Sequence, residues 1–212
     1  GHAFGYQRRG SAAARMTPPW FEGVPQEVVT TARILHVSGI SMAISGSACE
    51  TVLAAMRAAR AAGCQVSFDT NLRLKLWSIE AARAAMAQAA PLCDWFLPSL
   101  DDAAHLCGQT DPQAVADWGH ALGAPTVVLK LGAQGCLISQ HGRRQHIPGH
   151  AVALTDATGA GDCFCGNLLA RLAAGDALAD AARYANAAAA LAVQGFGAVA
   201  PLPCPEAVRA LL

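Results

Sequence analysis

Residues 156–162 read Asp-Ala-Thr-Gly-Ala-Gly-Asp and lead into a helical pattern running to about Ala174. Gly159 and Gly161 let the backbone turn tightly, and the N–H groups of residues 159–162 can converge on one anion at the start of a helix. On electrostatic grounds alone an aspartate is out of place beside a phosphate. It fits as a base held next to the phosphate that its substrate will attack. Asp162 is therefore the candidate base, and the amides of Gly159, Ala160 and Gly161 are the candidate cradle. The competing reading is an ordinary glycine-rich turn in which Asp162 only complements the helix dipole.

Two further places favour the chemical reading. Lys130-Leu-Gly-Ala-Gln-Gly135 ends a strand-like run with two glycines and one of the two lysines in the chain. Asn186 stands among small residues in the alanine-rich stretch 181–192, as close packing against a planar base requires.

These residues need elements to hold them, and strand-like and helix-like runs alternate. Residues 34–38, 64–69, 94–97 and 125–130 read as strands. A capping box of Ser47 and Glu50 opens an alanine-rich helix that Gly63 closes. Further helices run from about Ser78 to Ala90, from Ser99 to Gly108, and from Asp111-Pro112 to about Gly123. Between 135 and 156, Cys136–Ser139 and Ala151–Leu154 read as the strands of a hairpin or meander. From Gly159 onward the pattern is helical, broken at Gly175 and at 195–197. This βαβα succession predicts one α/β domain over 1–212: a three-layer, doubly wound, mostly parallel sheet. In such sheets ligands sit at the carboxyl ends of strands, where both glycine motifs fall.

Composition narrows the partners. Fifteen Lys and Arg balance fifteen Asp and Glu, so no bulk field draws nucleic acid or an anionic membrane. No apolar run approaches the roughly 18 residues that span a bilayer, and residues 1–9 lack the pattern of a signal peptide. The eight cysteines follow no C-x-x-C or zinc spacing and read as small buried hydrophobes. A cytoplasmic enzyme is the expectation.

Together these residues resemble the ribokinase-like (PfkB-type) carbohydrate kinases, whose second signature is Asp-x-Thr-Gly-Ala-Gly-Asp leading into a small-residue helix. The match holds through Gly166; Asn167 replaces the usual small residue. His36-Val-Ser-Gly-Ile40, Phe68-Asp-Thr-Asn-Leu-Arg73, Leu97-Pro-Ser99 and the opening Phe4–Ala13 are similar to the 2-keto-3-deoxygluconate kinase branch. The likeness covers only the later part of that fold; the first strands, the β-lid and a glycine-rich sugar-binding segment are not in it. The first residue is Gly rather than Met, so the expectation is a fragment or an incomplete gene, one that a homo-oligomer would help to cover at its open sheet edge.

The resemblance implies an ATP-dependent sugar kinase using Mg²⁺. Asp162 would take the proton of the sugar's primary hydroxyl, and Gly159, Ala160 and Gly161 would hold the phosphoryl group. Tyr6, Arg8 and Arg73 would grip the acid sugar, with Ile40 packing on it; a guanidinium fork suits a carboxylate. Asn71, Ser99, Lys130, Gly132, Gly135 and Asn186 would surround ATP. Asp102 takes the place of the acid in the family's Asn-x-x-Glu motif, here Ser99-Leu-Asp-Asp102, and would organise hydrated magnesium; a helix-start cap accounts for the same residues. A fructokinase or other ribokinase-like specificity is the nearest rival, and a non-catalytic nucleotide-binding remnant is the alternative outside enzymes. A dinucleotide-binding dehydrogenase and a P-loop kinase lack their motifs in this chain.

Overall fold

Three short runs rich in β-branched and aromatic residues, Ile34–Ser38 (β1), Gln65–Asp69 (β2) and Trp95–Leu97 (β3), pair in parallel in chain order in a computed structural model that describes residues 5, 8, 10–24, 28 and 31–212. Ile34 stands opposite Gln65, and Ser67 opposite Trp95. They belong to the first of two compact units, Gly1–Thr126 and Val127–Leu212. Val66 through Asp69 are buried on both faces of β2, as a strand inside a parallel sheet requires. Phe68 and Phe96 stack at 6.0 Å between centroids, and Trp118 tilts onto Phe96 at 5.6 Å. Met42, Met56 and Met86 fill the remaining space with no side chain exposed.

The helices of this unit begin where side chains can satisfy their free amides. Helix α1 is Gly39–Ala43, and α2 is Gly46–Ala61. The cap of α2 is Ser45, whose hydroxyl accepts the Ala48 amide at 3.1 Å, and not the expected Ser47. The reason is conformational: Ser45 is extended, as a capping residue must be, whereas Ser47 already lies within the helix. Gly63 closes α2 at φ +78°, with Cys64 N–H donating to Ala59 in the six-to-one bond of a Schellman turn. Ser99 and Asp111 cap α4 (Leu100–Leu106) and α5 (Pro112–Ala121) as expected, and Ser78 caps α3 (Ile79–Ala89) where a helix was expected to begin.

The next strands in order are β4 (Thr126–Lys130), β5 (Cys136–Gln140) and β6 (Arg143–Ile147), which apart from Thr126 belong to the second unit. The hairpin differs from expectation. Its second arm is Arg-Arg-Gln-His-Ile, antiparallel to β5 through a two-residue turn at His141 (φ +50°) and Gly142 (φ +72°). Four of its five residues are exposed, so no apolar alternation marks it in the sequence. Residues 151–154, expected as that strand, make no ladder; Ala151 and Leu154 are exposed and Val152 half-buried. Helices α6 (Ala160–Ala174) and α7 (Leu178–Ala192) lie against each other, and α8 (Pro205–Leu211) packs on α7. At the centre of their contact are small groups, Cys163, Ala187, Ala188, Ala192 and Val208, with Tyr184, Leu191 and Leu211 packed against them.

Candidate active site

In the second unit the glycine-rich turn is built from its first residue. Asp156 is buried, and one carboxylate oxygen accepts the Thr158 amide at 2.9 Å and hydroxyl at 2.7 Å. Gly159 then takes a left-handed conformation (φ +77°) as the N-cap of α6. A Cβ there would stand 2.9 Å from the Ala198 methyl, so both conformation and space require glycine. No side chain caps α6, and of its leading amides that of Ala160 donates to the Ala157 carbonyl at 3.1 Å. Asp162 lies in the first turn with its side chain exposed, as a base that must meet a substrate requires. Asn167, the departure from the family pattern, folds its amide back onto the Cys163 carbonyl at 2.9 Å.

Lys130, at the end of β4, brings a positive charge to the same turn. Its Nζ would lie 3.7 Å from a Cβ on Gly161. From there a cavity of about 570 Å³ extends along α7, lined by Lys130, Gly132, Gly135, Gly161, Asn186 and Ala190 among others. The unstructured segment 149–152, which sequence reasoning did not assign to a site, forms part of its wall. Most of the lining is apolar or backbone, which suits a flat heteroaromatic ring, while the amides and Lys130 at one end suit its phosphates.

Asn186 is 6% exposed, and its amide nitrogen donates to the Ile147 and Pro148 carbonyls, both at 3.1 Å. It therefore fixes the chain leaving β6 as well as lining the cavity. Gly135 (φ +91°) admits that same stretch: a Cβ there would fall 2.2 Å from the Ile147 oxygen. Gly132 (φ +59°) turns the chain just before it. Cys136, beneath Asn186, is pushed up to about 12 by burial and stays a thiol.

The first unit gathers a second group. Asp102, near the start of α4, accepts the Thr70 hydroxyl at 2.6 Å and the Leu72 amide at 3.1 Å through one oxygen. Ser99 accepts the Asp102 amide at 3.1 Å. These bonds hold the loop after β2, in which Asn71 adopts φ +34° and donates its amide to Asp69 at 3.2 Å. Arg73 is half-buried and donates to the Leu72 carbonyl at 2.7 Å. Gly39 lies against the same loop, and the next residue, Ile40, is half-buried. Arg8 is half-buried and its carbonyl accepts the Ser11 amide; Tyr6 lies outside the described residues. Among the described residues no three or more His, Cys, Asp or Glu side chains are grouped to hold a metal ion. A magnesium ion that arrives on nucleotide phosphates needs only one or two carboxylates, so the acids present are compatible with it.

The family model of the pfkB family carbohydrate kinases matches residues 9–205. The chain is 32% identical over 209 residues to the 2-dehydro-3-deoxygluconokinase of Bacillus subtilis, covering 98% of this chain and 64% of that protein. The crystal structure of a PfkB protein from Polaromonas sp. JS666 superposes with a TM-score of 0.83 at 34% identity, over 97% of this chain and 65% of that one. The fructokinase of Vibrio cholerae O395, crystallised with fructose, ADP and calcium, gives a TM-score of 0.79 at 33% identity, over 85% of this chain and 61% of that one. The mixed α/β fold expected from the sequence is the fold these structures share. The chain spans 64% of the length of that Bacillus subtilis protein and 62% of the 2-dehydro-3-deoxygluconokinase of Thermoproteus tenax. Among the described residues no helix is long and apolar enough to cross a membrane.

Proposed function

The chain belongs to the pfkB family of carbohydrate kinases, and on that premise we propose that it serves ATP-dependent phosphorylation of a sugar's primary hydroxyl, with 2-keto-3-deoxygluconate as the substrate. The observation that carries this reading is the exposed Asp162 in the first turn of a helix whose leading amides no side chain caps, with Lys130 beside Gly161. In the reaction the hydroxyl oxygen forms a bond to the γ-phosphorus. The bond from that phosphorus to the β-phosphate oxygen breaks, and ADP leaves with the electron pair. Asp162 receives the hydroxyl proton, while the amides of Gly159, Ala160 and Gly161 hold the moving group. Magnesium would enter on the nucleotide's phosphates and spread their charge, and Asp102 is proposed as the carboxylate that orders its hydration shell.

Asn71, Ser99, Gly132, Gly135 and Asn186 are proposed for the nucleotide, and Tyr6, Arg8, Ile40 and Arg73 for the acid sugar. Both substrates are small solutes of the cytoplasm, which is the compartment this reading assigns. Asp162→Asn tests it: turnover falls by about 10²–10⁴-fold while calorimetric ATP affinity holds. Unchanged turnover removes Asp162 as the base. A fructokinase is the second reading, favoured by the similarity to the fructose-bound enzyme. A coupled assay on residues 1–212 distinguishes both from a nucleotide-binding remnant, since sugar phosphorylation by this chain excludes the remnant.

A further inference from the structure

We propose that Thr70 is a positioning residue that sets Arg73 for recognition of a sugar carboxylate, acting through the bond from its buried hydroxyl to Asp102. The proposal rests on the acid-sugar reading above and concerns a residue to which that reading gives no role.

Strands β1 and β2 are parallel with Ser38 opposite Asp69, so their chains leave the sheet side by side. The next two residues are in contact, since Gly39 leaves no room for a Cβ against the Thr70 carbonyl oxygen. One chain then leads to Ile40 and the other to Arg73, both proposed for the acid sugar. Thr70 has no exposed surface. Its backbone is fixed by the neighbouring chain and its hydroxyl by Asp102.

Beyond Thr70 the loop takes a conformation that its residues do not prefer. Asn71 has φ +34°, toward the left-handed region that residues with a Cβ seldom occupy. Such a backbone persists where its surroundings over-determine it. Here one oxygen of Asp102 accepts from both sides of Asn71, the Thr70 hydroxyl at 2.6 Å and the Leu72 amide at 3.1 Å. The first bond is short and charge-assisted, which is the stronger class. The Asn71 amide itself turns back to the buried carboxylate of Asp69 at 3.2 Å. Arg73 Nη1 then donates to the carbonyl of Leu72, the residue whose own amide Asp102 holds. The guanidinium therefore takes its orientation from the clamp.

A planar guanidinium meets a carboxylate through two parallel bonds over a narrow range of orientations. Replacing the Thr70 hydroxyl by a methyl keeps the packing and removes one of the two bonds that hold the loop to Asp102. Asn71 then relaxes toward an ordinary conformation, and the fork of Arg73 turns with it. The penalty falls on the sugar's carboxylate, the group that the fork recognises.

The test is calorimetric titration of 2-keto-3-deoxygluconate into the unaltered chain, Thr70→Val, Thr70→Ser and Asp102→Ala, without nucleotide or magnesium and alongside melting temperatures. Thr70→Val should weaken the acid sugar by about tenfold, and Thr70→Ser, which keeps the hydroxyl, should stay within about twofold of the unaltered chain. Asp102→Ala removes the acceptor and should weaken it at least as much as Thr70→Val. In an Arg73→Lys background the charge remains and the fork is gone, so Thr70→Val should cost less than about twofold. A loss as large there as in the unaltered background assigns Thr70 to general support of the fold and overturns the positioning role. Equal affinity of the unaltered chain and Thr70→Val also overturns it, while the kinase reading stands. If Thr70→Val melts early, the decision passes to Asp102→Ala, where undiminished affinity for the acid sugar overturns the inference. An unaltered chain that does not bind the acid sugar overturns the acid-sugar reading and this inference with it.

Discussion

The buried carboxylate of Asp156 accepts the backbone amide of Gly197, 41 residues further along the chain, at 2.9 Å. Its other oxygen serves Thr158, so one side chain ties the entrance of the glycine-rich turn to the loop that follows α7. Asp156→Asn keeps an acceptor for Thr158 but turns an N–H toward Gly197. The expected cost is about 1–3 kcal/mol in urea unfolding, with ATP affinity falling in parallel because the turn is no longer held. A variant as stable as the unaltered protein would show that this bond does not brace the turn.

The two glycines of the turn separate conformation from ligand access. Gly159→Ala meets a left-handed φ and the Ala198 methyl and should lose about 1–3 kcal/mol of stability. Gly161 has helical backbone, and a Cβ there meets only Lys130 Nζ at an ordinary 3.7 Å. Gly161→Ala should therefore melt no lower than the unaltered protein, and up to about 1 kcal/mol of helix propensity favours it. On the proposed reading it should nonetheless lose ATP affinity, because its methyl would stand where the phosphoryl group is held. Calorimetric titration and thermal melts on the pair of variants separate these effects.

On the proposed reading, Arg73 is the residue that would distinguish an acid sugar from neutral ones. Its guanidinium is held by the Leu72 carbonyl within a loop that Asp102 clamps, so its reach is limited. Arg73→Ala should raise KM for 2-keto-3-deoxygluconate by about tenfold or more and leave KM for ATP alone. An acid-sugar KM that does not move, with fructose turned over, transfers the assignment to fructokinase.

The thiols respond according to burial. Cys93 and Cys136 are both pushed up to about 12 by desolvation, whereas Cys204 is exposed. Alkylation of the native protein near pH 8, followed by mass spectrometry, should label Cys204 first and leave Cys93 and Cys136 unmodified until unfolding. The same shift fixes the sign of the alkaline response. Above the ordinary thiol pKa of 9.0 the unfolded chain releases these protons while the folded chain keeps them. Their contribution to stability is intact below that value and declines as pH rises toward 12, which urea midpoints measured across the interval will register.

Local chemistry made much of this legible from the sequence. The caps at Ser78, Ser99 and Asp111 and the Schellman glycine at 63 follow from short-range hydrogen bonding, which the sequence states directly. What could not be read depends on contacts distant along the chain. Strand β6 is held by backbone pairing with β5, and its polar side chains give no periodic signal. Ala151–Leu154 has the apolarity of a strand but contributes to a cavity wall instead of a ladder. Asn186 could be singled out as a polar residue among small ones, yet its bonds to Ile147 and Pro148 bridge nearly forty positions. Asp156 stood inside the recognised motif; only the position of Gly197 gives it its second bond.

Along one side the nucleotide-sized hollow is bounded by Ala189 and Ala190, side chains that are single methyl groups. A boundary of this kind can be recessed by one carbon without disturbing any hydrogen bond. If the hollow takes a purine as proposed, replacing Ala190 by glycine would make room there for an extra substituent, giving the altered protein a cosubstrate of its own.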